Sequence, residues 1–144
     1  LSWDTVLKKR EAYRDAFAGF EPARVARFTD SHVEKLMSND GIIRNRLKIA
    51  SAVSNARAFL KVQDELGSFD KYVWSFVGGK PILNKRVGGD VPATTDVSDS
   101  LSRDLKRRGF NFVGSTIMYA FMQATGMVND HLVSCFRYFE VTLK

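Results

Sequence analysis

A chain of 144 residues and 16.2 kDa can bury one real core but not two independent ones. Its 44% hydrophobic and 26% charged residues lie in the globular range and exclude disordered and fibrous classes. The 22 basic and 16 acidic side chains leave a net charge of +6 and a pI near 9.6, which suits an anionic partner such as nucleic acid and, equally, an ordinary basic surface. The one cysteine, Cys135, allows no intrachain disulfide and suits a reducing compartment. No secretory leader is expected, because Leu1-Ser2-Trp3-Asp4 soon meets Lys8-Lys9-Arg10. The helical pattern starts at once, with no initiator methionine or polar lead-in. The expectation is a chain that begins partway through a longer protein, with chemistry-bearing residues upstream of Leu1.

In chain order, Val6, Arg10, Tyr13 and Phe17 fall on one helical stripe that Gly19 closes. Glu21-Pro22 starts a short helical turn through Phe28. Asp30 or Ser31 is expected to cap a helix carrying Val33, Leu36 and Met37, which ends at Asn39-Asp40-Gly41. Ile42, Ile49, Val53, Ala56 and Leu60 predict one apolar face of a long helix stopped by Gly67. Ser68 to Val77 reads as a short helix and Gly78 to Pro92 as a surface loop. Thr94-Thr95-Asp96 caps a helix with Val97, Leu101 and Leu105, ending in Lys106-Arg107-Arg108-Gly109. The turn Phe110-Asn111-Phe112-Val113-Gly114 then leads into a helix of Ile117, Phe121 and Ala124, and Asp130 to Phe136 can add another turn or two. The uncharged run from Gly109 to Asn129 is too polar for lipid and reads as a helix buried by protein on all sides. The fold class is all-α, a single helical domain over 1–144, soluble and with no membrane partner.

Three constellations carry chemistry. From about residue 96 to 125 the pattern is helix, basic last turn, glycine-bounded hairpin and second helix. Such a hairpin can offer unpaired amides to a phosphate, with Gly114 allowing close approach and Lys106, Arg107 and Arg108 adding attraction; an ordinary αα-hairpin gives the same pattern. His131 and Cys135, four apart, share a face if helical and could hold one Zn²⁺, or be a buried thiol beside a histidine. Trp3 is either core or a stacking surface for a base. Asp130, beside Asn129, is either an acid in a cleft or a helix N-cap. Phosphate loops, the serine-hydrolase elbow and readable catalytic triads are absent from the sequence.

Five blocks in order give a more specific signal. They are Leu1-Ser2-Trp3 with Val6 to Tyr13; Asn39 to Arg46; Val73-Trp74-Ser75-Phe76-Val77; Leu105 to Gly114; and Gly126-Met127-Val128-Asn129-Asp130-His131. Together they resemble the 3-methyladenine DNA glycosylase I family, the bacterial zinc-containing branch of the helix-hairpin-helix glycosylases, over essentially the whole chain. The resemblance implies an all-α helical bundle of that type. The implied activity is hydrolysis of the N-glycosidic bond of 3-methyladenine in double-stranded alkylated DNA, leaving an abasic site. It implies a monomeric, cytoplasmic, nucleoid-associated bacterial enzyme. A non-catalytic DNA-binding relative is the alternative.

By the same resemblance Trp3 stacks on the base and Leu1 fills the gap left in the duplex. Phe110, Asn111, Phe112, Val113, Gly114, Ser115 and Thr116 form the DNA-binding hairpin and helix start. His131 and Cys135 supply two of the four ligands of a structural Zn²⁺. The family's pocket glutamate and its other metal ligands are expected upstream of Leu1, and the sequence assigns no catalytic residue. Phe112 stands where the wider superfamily usually has glycine. Asn129 stands at the superfamily's catalytic aspartate, and an amide cannot give an oxocarbenium ion the anionic stabilisation a carboxylate would. That restriction fits a substrate whose leaving base is already cationic.

Overall fold

The computed structural model describes residues 2–142 and is predominantly helical. The chain clusters into two compact units, one holding residues up to Glu65 with Gly109–Phe112, the other holding Leu66–Arg108 with the residues from Val113 onward.

The first unit contains α1 (Trp3–Lys8), α2 (Arg10–Ala16), α3 (Pro22–Val25), α4 (Asp30–Met37) and nearly all of α5 (Arg46–Leu66). The expected continuous stripe from Val6 to Phe17 is broken at Lys9, whose ψ of 2° interrupts the helix and whose Nζ donates to the Asp40 carbonyl at 2.7 Å. A three-residue left-handed run, Ala18, Gly19 and Phe20, turns the chain after α2. Thr29, rather than Asp30 or Ser31, caps α4, in a box closed by His32. Helix α5 starts later than the apolar spacing suggests. Ile42 is buried but lies outside the helix, and the Asn45 side chain accepts from the Lys48 amide at the true start. Phe17, Val25, Leu36, Ile42 and Ile49 form the core here, with Tyr13, Phe28 and Ala52 packed against it. The Tyr13 hydroxyl accepts the Ile43 amide at 3.0 Å, and Arg57 donates to the Ala26 and Phe28 carbonyls, so the loops around this core are pinned by side chains.

The second unit contains α6 (Phe69–Ser75), β1 (Ile82–Leu83), α7 (Asp96–Arg107), α8 (Ser115–Ala124), β2 (Val128–Asn129) and α9 (Phe136–Thr142). Ser68 and Thr95 cap α6 and α7. Helices α7 and α8 approach closely through small polar residues: the Ser98 and Ser115 hydroxyls lie 2.8 Å apart, and Ser102 donates to the Val113 carbonyl at 2.6 Å. Helix α8 is not buried on all sides. Met118, Tyr119 and Met122 face inward, whereas Ile117 is 52% exposed, so the expected Ile117–Phe121–Ala124 stripe is replaced by one rotated toward the methionines. Within the surface loop a two-residue parallel pair forms, Ile82 beside Val128 and Leu83 beside Asn129, extended by a bridge between Arg86 and Leu132. The segment from Asp130 to Cys135 is a turn, and the last helix begins at Phe136.

Asp130 sits at the centre of this unit with a side chain only 7% exposed. Asn84 and Arg86 donate to one oxygen at 2.8 and 2.7 Å, and Tyr119 and Gln123 donate to the other at 2.5 and 2.9 Å. Burial alone would raise its pKa, but these four donors outweigh burial and lower it to about 2. Because the folded value lies below the unfolded carboxylate's, roughly 3.9, the resulting stability is present above pH 4 or so and fades as pH falls toward 2. Asp130→Asn turns an amide NH₂ toward donors and is expected to cost on the order of 3 kcal/mol at pH 7. Urea titrations from pH 5 to pH 2 should show a flatter pH dependence for the variant than for the wild type; parallel curves would contradict this role.

Candidate functional site

The turn between α7 and α8 is built by its sequence one residue at a time. Gly109 takes a φ of +93° just past α7, the left-handed position at which glycine ends helices without strain. Phe110 and Val113 are buried anchors, each 8% exposed, while Phe112 between them is half exposed at φ +57°. The Asn111 amide donates to Asn55 Oδ1 at 2.8 Å, and Asn55 Nδ2 returns a bond to the Asn111 carbonyl at 3.0 Å. Asn111 Nδ2 also donates to Ser54 Oγ at 3.1 Å. This reciprocal clamp joins residues 56 positions apart, and no local signal in the sequence announces it.

Gly114 is the N-cap of α8, and no described side chain caps that end. A Cβ built on Gly114 would meet nothing within 4 Å, so the fold does not require glycine there; its lack of a side chain leaves the approach to the Ser115 and Thr116 amides open. Amides at an uncapped helix start, at the positive end of the helix dipole, attract anions. The basic last turn of α7 is more occupied than its composition suggests. Asp104 pairs with both Arg107 and Arg108, and Arg108 lies over the Tyr72 ring at 5.0 Å. Lys106 stays exposed. Burial works to raise the Asp104 carboxyl, but Arg108, Tyr72 and Arg107 hold it below its usual range.

Trp3 lies in the first turn of α1, with 82% of its surface left uncovered by the described residues. Leu1, the expected gap-filling residue, lies outside the described residues. The same unit holds an apolar hollow of about 430 Å³ lined by Val6, Tyr13, Phe17, Phe20, Ile43, Lys48, Ile49 and Ala52. Among its lining residues there is aromatic and aliphatic surface and one cation, but no acid.

His131 and Cys135 come together without a helix: the turn before α9 sets Cys135 Sγ 3.8 Å from His131 Nδ1. Two neighbouring ligands of a tetrahedral zinc, with Zn–S near ~2.3 Å and Zn–N near ~2.05 Å, stand roughly 3.6 Å apart. The pair therefore fits half of such a site, although no group of three or more metal-binding side chains occurs among the described residues. Asn129 is buried and fully used by the fold. Its Nδ2 donates to the Tyr138 carbonyl and Thr142 Oγ1, and its Oδ1 accepts the His131 amide. Asp130 is neither an N-cap nor a free acid. The sequence shows it as a titratable residue, but two of its four partners, Asn84 and Arg86, come from a distant segment.

The sequence model of the methyladenine glycosylase family matches residues 1–138. The chain is 49% identical over 136 residues to DNA-3-methyladenine glycosylase 1 of Escherichia coli K12, covering 94% of this chain and 73% of that protein. It superposes on a crystal structure of 3-methyladenine DNA glycosylase I with a TM-score of 0.87 at 52% identity, covering 94% of this chain and 75% of the other. A tyrosine-to-phenylalanine variant of another 3-methyladenine DNA glycosylase I, in complex with 3-methyladenine, gives 0.89 at 39% identity, covering 94% and 74%. With this agreement over nearly its whole length, the chain belongs to the methyladenine glycosylase family.

Proposed function

We propose that this protein is a DNA-3-methyladenine glycosylase acting in base-excision repair, a monofunctional hydrolase of alkylated DNA. The observation that carries the reading is the 49% identity to an enzyme of that name over 94% of the chain. Water adds to C1′ of the damaged nucleotide and loses a proton. The C1′–N9 bond breaks, and its electron pair neutralises the cationic base, which departs as 3-methyladenine and leaves an abasic sugar. Methylation has already weakened that bond, so the protein's task is to bend the duplex and to extrude and hold the nucleotide. The engaged state of Asn129 and Asp130 supports this division of labour: neither offers a spare group to the reaction.

In this reading the double-stranded substrate is held at the hairpin, where the amides of Ser115 and Thr116 meet a phosphate beside Gly114. Phe110, Asn111, Phe112 and Val113 shape the approach, and the protein works as a monomer. Trp3 stacks on the extruded base; its exposure supports a role outside the core. Leu1 fills the space left in the duplex. His131 and Cys135 would hold a structural Zn²⁺ as two of its four ligands, supported by their 3.8 Å separation. The metal would add folding stability rather than chemistry. Among the described residues no helix is long and apolar enough to cross a membrane. A cytoplasmic, nucleoid-associated location belongs to the same proposal.

Incubation with methylated duplex DNA should release free 3-methyladenine well above the spontaneous rate. Salt-sensitive DNA binding with no release would leave a binding module and end the enzymatic reading. Trp3→Ala is expected to lose roughly 1–3 kcal/mol of base-stacking energy while its affinity for undamaged duplex stays within twofold or so of wild type; equal loss of both affinities would assign the indole a packing role. His131→Ala should lower bound zinc, read by atomic absorption, and the melting temperature along with it. Unchanged metal content would remove His131 from the ligand set.

A further inference from the structure

Within the second unit an open cavity of about 520 Å³ lies between α6 and α7, and three guanidinium groups line it: Arg103, Arg107 and Arg108. The lining contains one carboxylate, Asp104, and the fold already uses it. One of its oxygens takes Arg107; the other takes the Tyr72 hydroxyl at 2.9 Å and Arg108 at 2.8 Å. Arg108 is held further by the face of the Tyr72 ring. Arg103 donates instead to a neutral acceptor, the Ser100 hydroxyl at 3.2 Å, and pairs with no carboxylate among the described residues. Ser100 in turn donates to the Asp96 carbonyl at 2.8 Å, which fixes the position of its oxygen. The Arg103 fork is thereby oriented through one nitrogen, while its charge and its other N–H groups stay available.

Arg103 and Arg107 stand four residues apart on α7 and therefore share one helix face. Like charges at that spacing repel, and an anion that bridges the two forks removes the repulsion. Guanidinium forks match the oxygens of a phosphate in pairs. The rest of the lining includes apolar surface: Phe76, which caps the end of α6, and Leu66, 42% exposed at the end of α5. We propose that this cavity binds a small phosphate monoester, its anionic head between Arg103 and Arg107 and its flat apolar body against Phe76 and Leu66. The volume is that of a small-ligand site. The Ser75 and Ser100 hydroxyls already donate to the Tyr72 and Asp96 carbonyls, so recognition of the head falls on the two guanidinium forks. The assignment holds whether or not the protein is a glycosylase.

Calorimetric titration with adenosine monophosphate, inorganic phosphate and uncharged adenosine tests this. The monophosphate should bind saturably, inorganic phosphate about tenfold more weakly because it leaves the apolar surface bare, and adenosine not measurably. Arg103→Gln is expected to weaken monophosphate binding tenfold or more, the effect of one charge-assisted pair, at an unchanged melting temperature. Arg24→Gln, which removes the same charge from an exposed position on α3, should bind as the wild type does. In the wild-type protein the Nε–Hε resonances of Arg103 and Arg107 should shift during the titration, a readout that requires no variant. Absence of monophosphate binding, or resonances that stay fixed while it binds, would overturn the proposal. Equal weakening by both substitutions would show diffuse attraction and overturn it as well. A DNA strand carries the same phosphate chemistry, so undamaged duplex is the competing source. Duplex that displaces the monophosphate, and that itself binds Arg103→Gln tenfold more weakly, would make the cavity part of a DNA footprint and end the small-ligand assignment.

Discussion

The reciprocal hydrogen bonds between Asn55 and Asn111 are the constraint that gives the turn after α7 a single shape. Free turns of five residues sample many backbone states, and each sampled state would aim the following amides differently. Fixing both the N–H and the C=O of Asn111 on one side chain removes that freedom at the residue before Phe112. Buried Phe110 and Val113 hold the flanking residues. What remains is a turn with one shape, an open helix start at Gly114 and an aromatic ring facing water. Binding a charged strand on main-chain groups works only if those groups are already in place, because ordering them on contact would consume the affinity they contribute.

The buried polar groups of the second unit serve the same end by a different route. A carboxylate as enclosed as Asp130 is seldom a net source of stability compared with apolar packing. Its value is geometric: four donors from the β1 loop and α8 converge on two oxygens, which admits one arrangement of those segments. Asn129 does likewise for α9 and for the turn that brings His131 to Cys135. The two residues that look most like reaction chemistry in the sequence are therefore braces. This accords with an enzyme that leaves bond weakening to the positive charge of its substrate.

Much of the fold is legible in the sequence because helices announce themselves by caps and period. Ser68, Thr95, Gly109 and Gly126 mark real boundaries, and the hairpin is readable from Lys106 to Gly114. Pattern misleads where tertiary contacts override it. Ile42 extends the apolar spacing of α5 but is buried from a loop, and the spacing on α8 points one face away from the buried Met118, Tyr119 and Met122. The strand pair at Ile82 and Val128 is two residues long, too short to show a period. Spacing alone singles out His131 and Cys135, though a turn rather than a helix brings them together. The Asn55 clamp and the bonds from Asn84 and Arg86 to Asp130 join segments far apart in the chain, information that a single sequence does not carry.

The central claim, that main-chain amides at the start of α8 receive a phosphate of the damaged strand, is open to direct observation. Backbone amide resonances followed by NMR during titration with a methylated duplex should show the largest shifts and the slowest hydrogen exchange at Gly114, Ser115 and Thr116, saturating together. Shifts confined to other surfaces, with these three amides exchanging as in the free protein, would contradict it.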